Sequence, residues 1–222
     1  MKRTNQFINL VNKVLFISLV LGLKTASAQN DWKLSTEKDG IKVYTSIMPD
    51  SKIKAIKVQR DLNATSSQLV ALLMDINTAP NWVYHVKSAK LIKQVSPAEL
   101  YYYSEVSLPW PTQNRDFVAH LIVSQDPDTK VVTIDGPAVP GFVPLKKGIV
   151  RIDNSVGKWI ITPIGPDQLH VEYSIHVDPG GSLPAWLVNL FATDAPLQIF
   201  RNLKTQLQKQ AYKNTSLAFV AN

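Results

Sequence analysis

The sequence predicts an α+β protein in which one antiparallel sheet packs against a long C-terminal helix. Three observations lead to this fold class. Residues 87–178 form repeated runs rich in Val, Ile and Tyr, separated by Asp, Gly and Pro, as in consecutive antiparallel strands. After Pro179-Gly180-Gly181 the apolar residues recur at helical spacing. Earlier in the chain, Thr65 and Gln68 form a capping box that predicts the start of a shorter helix.

The first 28 residues are predicted to be a secretory signal peptide. Lys2 and Arg3 precede an apolar stretch whose densest run is 14–23, and Ala26-Ser27-Ala28 matches the small-residue pattern of a cleavage site. The alternative is an uncleaved membrane anchor, but an apolar run of about ten residues is too short for a bilayer, which needs about twenty. We therefore expect an exported protein, periplasmic or secreted, that is soluble after cleavage.

The charge and the composition exclude several classes of function. The whole chain carries 24 Lys and Arg against 17 Asp and Glu, a net charge of +7. Residues 1–28 hold four of the basic residues and no acid, so 20 basic and 17 acidic residues remain, a net charge of +3. A nucleic-acid-binding function thereby loses its main support. The absence of cysteine excludes disulfide scaffolds, iron–sulfur clusters and cysteine nucleophiles.

The strands are predicted from alternating apolar and polar residues. Asp39-Gly40 indicates a hairpin turn, after which residues 41–47 alternate, and a third strand is expected within 52–62. The clearest strand, 169–177, has one apolar and one polar face, which predicts that one side is wetted. No linker, charge block or repeat divides residues 29–222, so we expect them to form a single domain.

The helices are predicted from capping signals and apolar spacing. The first helix is expected over 66–77, followed by a short helix or turn at 80–82. The C-terminal helix is expected to begin near Pro184 and to continue its apolar face to Ala211. Pro196 should kink it, because proline lacks a backbone N–H. A sheet crossed by a helix encloses apolar space, and the pattern leaves open whether side chains fill it or a cavity remains.

Catalytic motifs are absent from the sequence. It contains no nucleophile elbow, no phosphate-binding loop, no dinucleotide-binding glycine motif and no metalloprotease helix motif. His170 and His176 share the polar face of one strand, about 20 Å apart, so we expect solvated or paired surface residues rather than metal ligands. We therefore expect no metal, no cofactor and no enzyme activity.

Residues 105–118 are the most informative stretch. A strand ends at the rigid turn Pro109-Trp110-Pro111, and the next strand begins near Arg115. By the period of two, Phe117 and the apolar residues that follow it share the face of Arg115. A guanidinium inside a protein requires an acid, a carbonyl or a ligand anion.

Two interpretations of Arg115 remain open at this point. In the first, it is a fixed cation at the polar end of a cavity that binds a lipid. In the second, it forms a structural ion pair at a strand end, for example with Glu105 or Asp116, since buried charges are usually paired.

The same stretch resembles the START family, whose name stands for steroidogenic acute regulatory protein-related lipid transfer. The resemblance extends over nearly all of residues 29–222. The matching blocks are Trp32, 39–44, 109–111, 114–118, 148–151, 157–161, 176–181 and 183–189. It implies a helix-grip fold, in which a curved antiparallel sheet surrounds the C-terminal helix and leaves a tunnel for one lipid or sterol. In phospholipid-binding members the arginine of the Asn-Arg-Asp motif faces the tunnel near the head group, and sterol-binding members share the motif.

The resemblance also suggests which residues bind the ligand and which form a gate. The predicted ligand-binding residues are Arg115, Glu105, Phe117, Trp159, Val171, Tyr173, Trp186, Leu190 and Phe191. The family's gate corresponds to the loop 135–147, where Phe142, Val143 and Leu145 precede Lys146 and Lys147. Apolar residues beside lysines favour contact with an anionic lipid surface. The alternative is a loop that packs shut with its lysines solvated.

We therefore expect a START-like protein that binds one lipid or sterol-like molecule in an internal tunnel and carries it between membranes. Its expected partners are this ligand and, transiently, a membrane surface, with the protein itself a monomer. Two alternatives remain open. One is a helix-grip enzyme with a catalytic residue among Glu105, Arg115, His120 and Tyr173. The other is a ligand-dependent interaction protein.

Overall fold

The structure is a computed structural model that describes residues 31–48, 51, 53–181, 183 and 185–222. For residues 185–187, 190 and 191 it describes the helix to which they belong but not their side chains. The predicted signal peptide, residues 1–28, lies outside the described residues. Among the described residues, none of the helices combines the length and the apolar content that a membrane-spanning helix needs.

The strands and helices confirm the predicted α+β helix-grip architecture. The strands are β1 (Lys33–Lys38), β2 (Ile41–Ile47), β3 (Lys54–Leu62), β4 (Val86–Ser96), β5 (Glu99–Val106), β6 (Asn114–Gln125), β7 (Val132–Pro137), β8 (Ile149–Arg151), β9 (Asn154–Gly165) and β10 (Gln168–Asp178). The helices are α1 (Ser66–Met74), α2 (Ala185–Leu207) and a short 3₁₀ helix (Ile76–Asn81). One antiparallel sheet has the order β1-β2-β3-β10-β9-β7-β6-β5-β4, and β8 pairs in parallel with β6.

Local sequence signals explain how the first elements form. Asp39 and Gly40 both take left-handed backbone conformations, with φ of 55° and 71°, as a two-residue hairpin turn requires. The predicted capping box is confirmed, because Thr65 Oγ1 accepts from the Gln68 N–H and Gln68 Oε1 accepts from the Thr65 N–H. The helix ends at Met74, three residues earlier than predicted. There the Asp75 N–H bonds to carbonyls both four and three residues back, which starts the 3₁₀ turn.

The C-terminal helix ends four residues before the predicted limit of its apolar face. After Leu207, the N–H groups of Gln208 and Lys209 bond to carbonyl oxygens three residues back, so the last turn tightens and the helix stops. Pro196 lies inside α2, and the kink expected there stays a prediction.

The C-terminal half of α2 fills the space between helix and sheet. Leu197, Phe200 and Leu203 are at most 3% exposed. They join one core cluster with Leu69 of α1 and with residues on the inner face of the sheet. The sheet residues of this cluster include Val58, Val123, Val132, Ile134, Ile161, Leu169 and Val171. This packed end holds the helix and the sheet at a fixed separation. At the other end of the molecule, side chains do not fill the space between them.

Candidate ligand-binding site

A cavity lies between the N-terminal part of α2 and the inner face of the sheet. Its volume is about 610 Å³, within the range of about 300–1,000 Å³ that small-molecule sites occupy. Strands β5, β6, β7, β9 and β10 supply one wall, and Leu183, Val188 and Ala195 supply the other. The sequence leaves open whether side chains fill the space between helix and sheet or a cavity remains. Both occur, because side chains fill this space around Phe200 and a cavity remains around Val188.

Small residues on the inner face of the sheet create this cavity. The residues that border it from β6, β7, β9 and the loop after β7 include Ala119, Gly136, Ala138, Ser155 and Gly157. Gly136 and Gly157 are direct cross-strand partners. A Cβ atom on Gly136 would lie only 2.8 Å from Leu121 Cδ2, so the sheet accepts only glycine there without a shift. This run of small inward-facing residues was the sequence signal for a cavity, and pattern analysis of the larger apolar residues missed it.

An aromatic partition, formed by Tyr173, Trp159 and Phe200, separates the cavity from the core. Tyr173 and Trp159 are cross-strand partners with ring centroids 4.3 Å apart, and the Trp159 ring lies 5.7 Å from that of Phe200. Tyr173 borders the cavity, whereas Phe200 is fully buried in the core. Trp159 and Val171 were predicted to line the ligand space, but neither borders the cavity, because Trp159 is part of this partition and Val171 lies on its core side. The limit of the cavity on β10 falls between Val171 and Tyr173, two residues that share one face.

Arg115 is buried at one end of the cavity with no carboxylate partner among the described residues. The residue is 4% exposed and borders the cavity. Its Nε donates to the Pro179 oxygen at 3.1 Å, its Nη2 to the Gly180 oxygen at 3.2 Å, and its Nη1 to the Gln113 oxygen. Burial lowers the pKa of Arg115, yet a guanidinium stays protonated in proteins and has five N–H donors. Two donors are therefore left over, and the charge is solvated by carbonyl dipoles without being neutralised.

The glycines after β10 position two of these carbonyls. Gly180 and Gly181 have φ of 63° and 65°, a conformation that glycine adopts without strain. A Cβ atom on Gly181 would lie 3.5 Å from Arg115 Nη2. The Pro179-Gly180-Gly181 segment thus wraps closely around the guanidinium.

Glu105, a predicted ligand-binding residue, lies on the opposite face of the sheet and does not border the cavity. Its Oε1 accepts from Lys87 Nζ at 2.8 Å and from Asn114 Nδ2 at 3.1 Å, and Lys146 Nζ is 3.9 Å from Oε2. The hydrogen bond from Lys87 is the main reason why the pKa of Glu105 is lowered. The prediction for Glu105 is corrected because residues 105 and 106 of β5 alternate between the two faces.

Asp116, the other candidate partner of Arg115, is also occupied. Its carboxylate accepts two hydrogen bonds from Arg151, Nε to Oδ1 at 2.7 Å and Nη2 to Oδ2 at 3.1 Å. Both side chains are almost fully buried, and the pair raises the pKa of Arg151. The interpretation of Arg115 as a structural ion pair with Glu105 or Asp116 is therefore wrong.

Tyr102 and Tyr173 contribute two hydroxyl groups to the cavity wall. Both side chains border the cavity, and neither hydroxyl has a hydrogen-bond partner within the described part of the chain. Tyr173 Oη lies 3.5 Å from the point that a Cβ atom of Gly157 would occupy. Burial raises the pKa of Tyr102 to about 12. Burial, together with the nearby Tyr102 phenol, raises the pKa of Tyr173. Both hydroxyls are thus protonated and able to donate.

The cavity opens at the turn between β5 and β6. Leu108, Pro109, Trp110, Pro111 and Thr112 all border it, and Trp110 is 92% exposed. The Trp110–Pro111 peptide bond is cis. Tyr84 and His85 border the cavity beside this turn, and the Ser107 N–H donates to the His85 oxygen at 2.9 Å. We call residues 108–112 the entrance turn.

The predicted gate segment lies on the outer face of the sheet. The Phe142 ring stacks on Tyr101, with centroids 4.4 Å apart, and Lys146 Nζ lies 4.3 Å from the centre of the Tyr103 ring. Tyr101 and Tyr103 alternate with the inward-facing Tyr102, so this contact is on the side away from the cavity.

The expectation that this segment covers the cavity is therefore corrected. The Val143 and Pro144 oxygens accept hydrogen bonds from Arg151, which fixes the segment to the sheet. None of the five predicted gate residues, which are Phe142, Val143, Leu145, Lys146 and Lys147, borders the cavity. Leu145 is 76% exposed, and its contact with a membrane stays a prediction.

The structure brings together three of the predicted ligand-binding residues. Arg115, Phe117 and Tyr173 border one cavity. The side chains of Trp186, Leu190 and Phe191 lie outside the description, so their predicted contacts stay predictions. Sequence analysis missed several residues that border the cavity. Tyr102 faces inward on β5, Ile175 and Val177 face inward on β10, and the entrance turn lies at the opening.

The histidines of β10 form surface pairs, as predicted. His170 Nδ1 lies 2.7 Å from Asp61 Oδ1, and His176 Nε2 lies 3.4 Å from Ser51 Oγ. Across the residues that the structure describes, no three metal-binding side chains cluster.

The comparison with protein families decides the assignment. A family model described as START domain matches residues 19–213. The chain belongs to the START family. This START domain is 33% identical over 201 residues to the uncharacterised protein PA1579 of Pseudomonas aeruginosa, with 90% of this chain and 98% of that protein covered. It is 30% identical over 172 residues to the phosphatidylcholine transfer protein of Mus musculus, with 75% and 78% covered.

A solved structure shows the same START fold. The crystal structure of a STAR-related lipid transfer protein fragment from Xanthomonas axonopodis matches with a TM-score of 0.75 and 34% identity. The match covers 80% of this chain and 99% of that one. The family and the fold predicted from the sequence are thereby confirmed.

Proposed function

We propose that this protein is an exported, monomeric carrier that binds one amphipathic lipid in its cavity and transfers it between membranes. The observation that carries the proposal is Arg115, a buried cation at the end of an apolar cavity that has, within the described part of the chain, two free N–H donors and no carboxylate partner. An anionic or zwitterionic head group supplies the missing negative charge. The names of the mouse and Xanthomonas relatives, both lipid transfer proteins, support the same function.

The free energy of binding has two sources in this proposal. Apolar chains buried against residues such as Phe117 and Ile175 contribute about 25 cal/mol per Å² before the costs of association. A head group at Arg115 adds about 1.5–3 kcal/mol, the range for a hydrogen bond to a charged group. The first term is shared by many lipids, so we expect Arg115 to determine which head group is preferred.

The entrance turn is the proposed route of the lipid and part of the membrane contact. Trp110 is exposed at the opening, and tryptophan prefers the membrane–water interface. Lys146 lies near the same end of the sheet, because its Nζ is close to the Glu105 carboxylate. Glu105 accepts a hydrogen bond from Asn114, and Asn114 Oδ1 accepts one from the Leu108 N–H of the entrance turn. Lys146 and Lys147 would each add about 1 kcal/mol at an anionic surface. The gate segment thus serves as a membrane contact beside the entrance and not as its cover.

An enzymatic alternative has less support from the geometry. Of the four catalytic candidates, Arg115 and Tyr173 border the cavity, whereas Glu105 and His120 do not. His120 Nε2 lies 2.7 Å from Glu99 Oε1, and its ring stacks on Tyr101 on the outer face. General acid–base catalysis needs a proton-transferring group, such as a carboxylate or an imidazole, within hydrogen-bond reach of the bound molecule. We therefore propose binding and transfer without chemistry. A transfer assay also separates a carrier from an interaction protein that only senses the ligand.

The test compares one anionic lipid with one sterol. Delipidated protein is titrated with dioleoylphosphatidylglycerol and with cholesterol, binding is followed by native mass spectrometry, and transfer between vesicles is measured in parallel. We expect Arg115→Leu to weaken the phospholipid about 10–150-fold, the equivalent of 1.5–3 kcal/mol, with little effect on cholesterol. Arg115→Lys should restore only part of the loss, because lysine cannot make a bidentate phosphate contact.

Arg60 provides a matched control for this test. It is also a buried arginine that donates to a main-chain oxygen, that of Phe200 at 2.9 Å, but it does not border the large cavity. Arg60→Leu should lower the melting temperature and leave the ratio of the two affinities unchanged. Equal losses for both lipids in Arg115→Leu, in step with a fall in stability, would show that Arg115 has only a structural role.

A further inference from the structure

The cavity has a second polar position that the guanidinium does not explain. Tyr102 and Tyr173 stand on β5 and β10, and their hydroxyls lack protein partners within the described part of the chain. Tyr102 is four residues along β5 from Val106, the cross-strand partner of Arg115. At about 3.3 Å per residue, the two positions are about 13 Å apart along the strand. Tyr102 therefore lies away from the entrance turn, toward the aromatic partition to which Tyr173 belongs.

These hydroxyls are unusual for an apolar site. Phenylalanine in either position would keep the ring packing, which for Tyr102 is an edge-on contact with Phe117 at a centroid distance of 5.8 Å, and for Tyr173 a stack on Trp159. Both hydroxyls face the cavity, and a ligand that shields them from water without offering a hydrogen bond binds less well for that reason. A ligand that brings an acceptor to this position removes that penalty.

We propose that Tyr102 and Tyr173 form a hydrogen-bonding subsite for an uncharged oxygen of the ligand, distinct from the position of its head group at Arg115. The bound molecule then belongs to a narrower class than amphipathic lipids in general. It carries an ester carbonyl, as in a diacyl glycerolipid, or a hydroxyl on an otherwise apolar skeleton, as in a sterol. No carboxylate or lysine borders this part of the cavity among the described residues, so a second charged group does not fit there. This inference rests on the proposed function, since it concerns the same cavity.

The experiment removes the acceptor from the ligand and the donor from the protein in turn. Delipidated protein is titrated with dioleoylphosphatidylglycerol and with the diether lipid of the same head group and chains, which lacks both ester carbonyls. A second arm compares cholesterol with its analogue that lacks the 3-hydroxyl. Each pair is measured with wild type, Tyr102→Phe, Tyr173→Phe and the double variant. We expect wild type to prefer the oxygen-bearing lipid of one pair about three- to tenfold, the usual effect of one hydrogen bond.

The variants decide between the outcomes. Loss of the preference in Tyr102→Phe or Tyr173→Phe, with affinity for the lipid lacking the oxygen unchanged, supports the subsite, and the arm in which it occurs identifies ester or hydroxyl. Tyr101→Phe is the matched control, because Tyr101 is a neighbouring tyrosine on the outer face that stacks on His120 and does not border the cavity. An equal preference in wild type and both cavity variants overturns the inference while lipid binding itself stands. Failure of wild type to bind any of the four lipids would instead contradict the proposed function.

Discussion

Glu105 and Asp116 lie directly opposite each other on β5 and β6, and neither carboxylate reaches the neighbouring Arg115. Like charges in this relation repel, but each carboxylate is neutralised by a cation of its own, Lys87 for one and Arg151 for the other. Both of these outer-face carboxylates are therefore neutralised, whereas Arg115 on the inner face keeps a positive charge that no carboxylate among the described residues compensates. A one-residue alternation produces this separation, since residues 115 and 116 point to opposite sides.

The stability of the protein should depend on pH through Glu105. Lys87 and Asn114 lower the pKa of Glu105 below 4.5, its value in the unfolded chain. Its ionised form therefore stabilises the fold fully above about pH 4.5, and this contribution is lost as the pH falls through the lower native pKa. Glu105→Gln should reduce the melting temperature by about 3–10 °C at pH 7 and by less at pH 3. Thermal unfolding at both pH values tests this, with the exposed Glu37→Gln of β1 as control. A difference that stays constant between pH 7 and pH 3 would contradict it.

The two ends of the helix–sheet layer should respond differently to truncation. Leu169 is 2% exposed in the filled core, and Ile175 borders the cavity on the same strand. Leu169→Ala should lower the free energy of unfolding by about 2–5 kcal/mol, because it opens a new void. Ile175→Ala should cost clearly less in the ligand-free protein, since it only enlarges an existing space. Chemical denaturation of delipidated variants measures both. Equal losses would mean that the cavity end is as tightly packed as the core.

A larger side chain on the sheet wall of the cavity should reduce lipid binding without unfolding the protein. A Cβ atom on Gly157 would meet only ordinary contacts, the nearest at 3.5 Å, whereas one on Gly136 would clash with Leu121. Gly157→Val should therefore lower lipid occupancy while the melting temperature stays within a few degrees. Gly136→Val should destabilise the fold as well, by about 1–3 kcal/mol for an overpacked site. Native mass spectrometry and thermal unfolding separate the two effects. Full occupancy in Gly157→Val would place the ligand elsewhere.

Trp110 should matter for membranes and not for folding. It is 92% exposed, so Trp110→Ala should leave the melting temperature unchanged within about 1 °C. The variant should bind vesicles containing phosphatidylglycerol more weakly and transfer lipid more slowly, because the interfacial contact at the opening is lost. Vesicle co-sedimentation and a fluorescent-lipid transfer assay measure this. The exposed Ile47→Ala, on β2, controls for the general loss of surface apolar area. A wild-type transfer rate in Trp110→Ala would exclude the entrance turn as the contact.

Local patterns predicted most of the fold and one key part of the site. The hairpin at Asp39-Gly40, the capping box and the alternation within single strands depend on neighbouring residues, so the sequence alone was sufficient. Arg115 was also predictable, because its position in line with Phe117 follows from strand alternation. Whether it had an ion-pair partner depended on the faces that Glu105 and Asp116 occupy.

The remaining errors concern non-local relations. Val171 and Tyr173 share a face, and only the stack of Trp159 on Phe200, from a distant helix, decides which of them lies in the core. The gate segment was expected over the cavity because the family's gate corresponds to the loop 135–147, yet the Phe142 ring stacks on Tyr101 on the outer face. Composition describes what a segment can contact, whereas the sheet register decides which side it meets.

The aromatic partition has a consequence for how such a protein can diversify. Residues on the core side hold the layers together, so substitutions there are removed by selection for stability. Residues on the cavity side, such as Ala119, Ser155 and Ile175, already face a space, and their replacement changes its shape at little cost to the fold. Descendants of one ancestral chain can therefore acquire new cargoes through drift on one side of Tyr173, while the other side preserves a common scaffold.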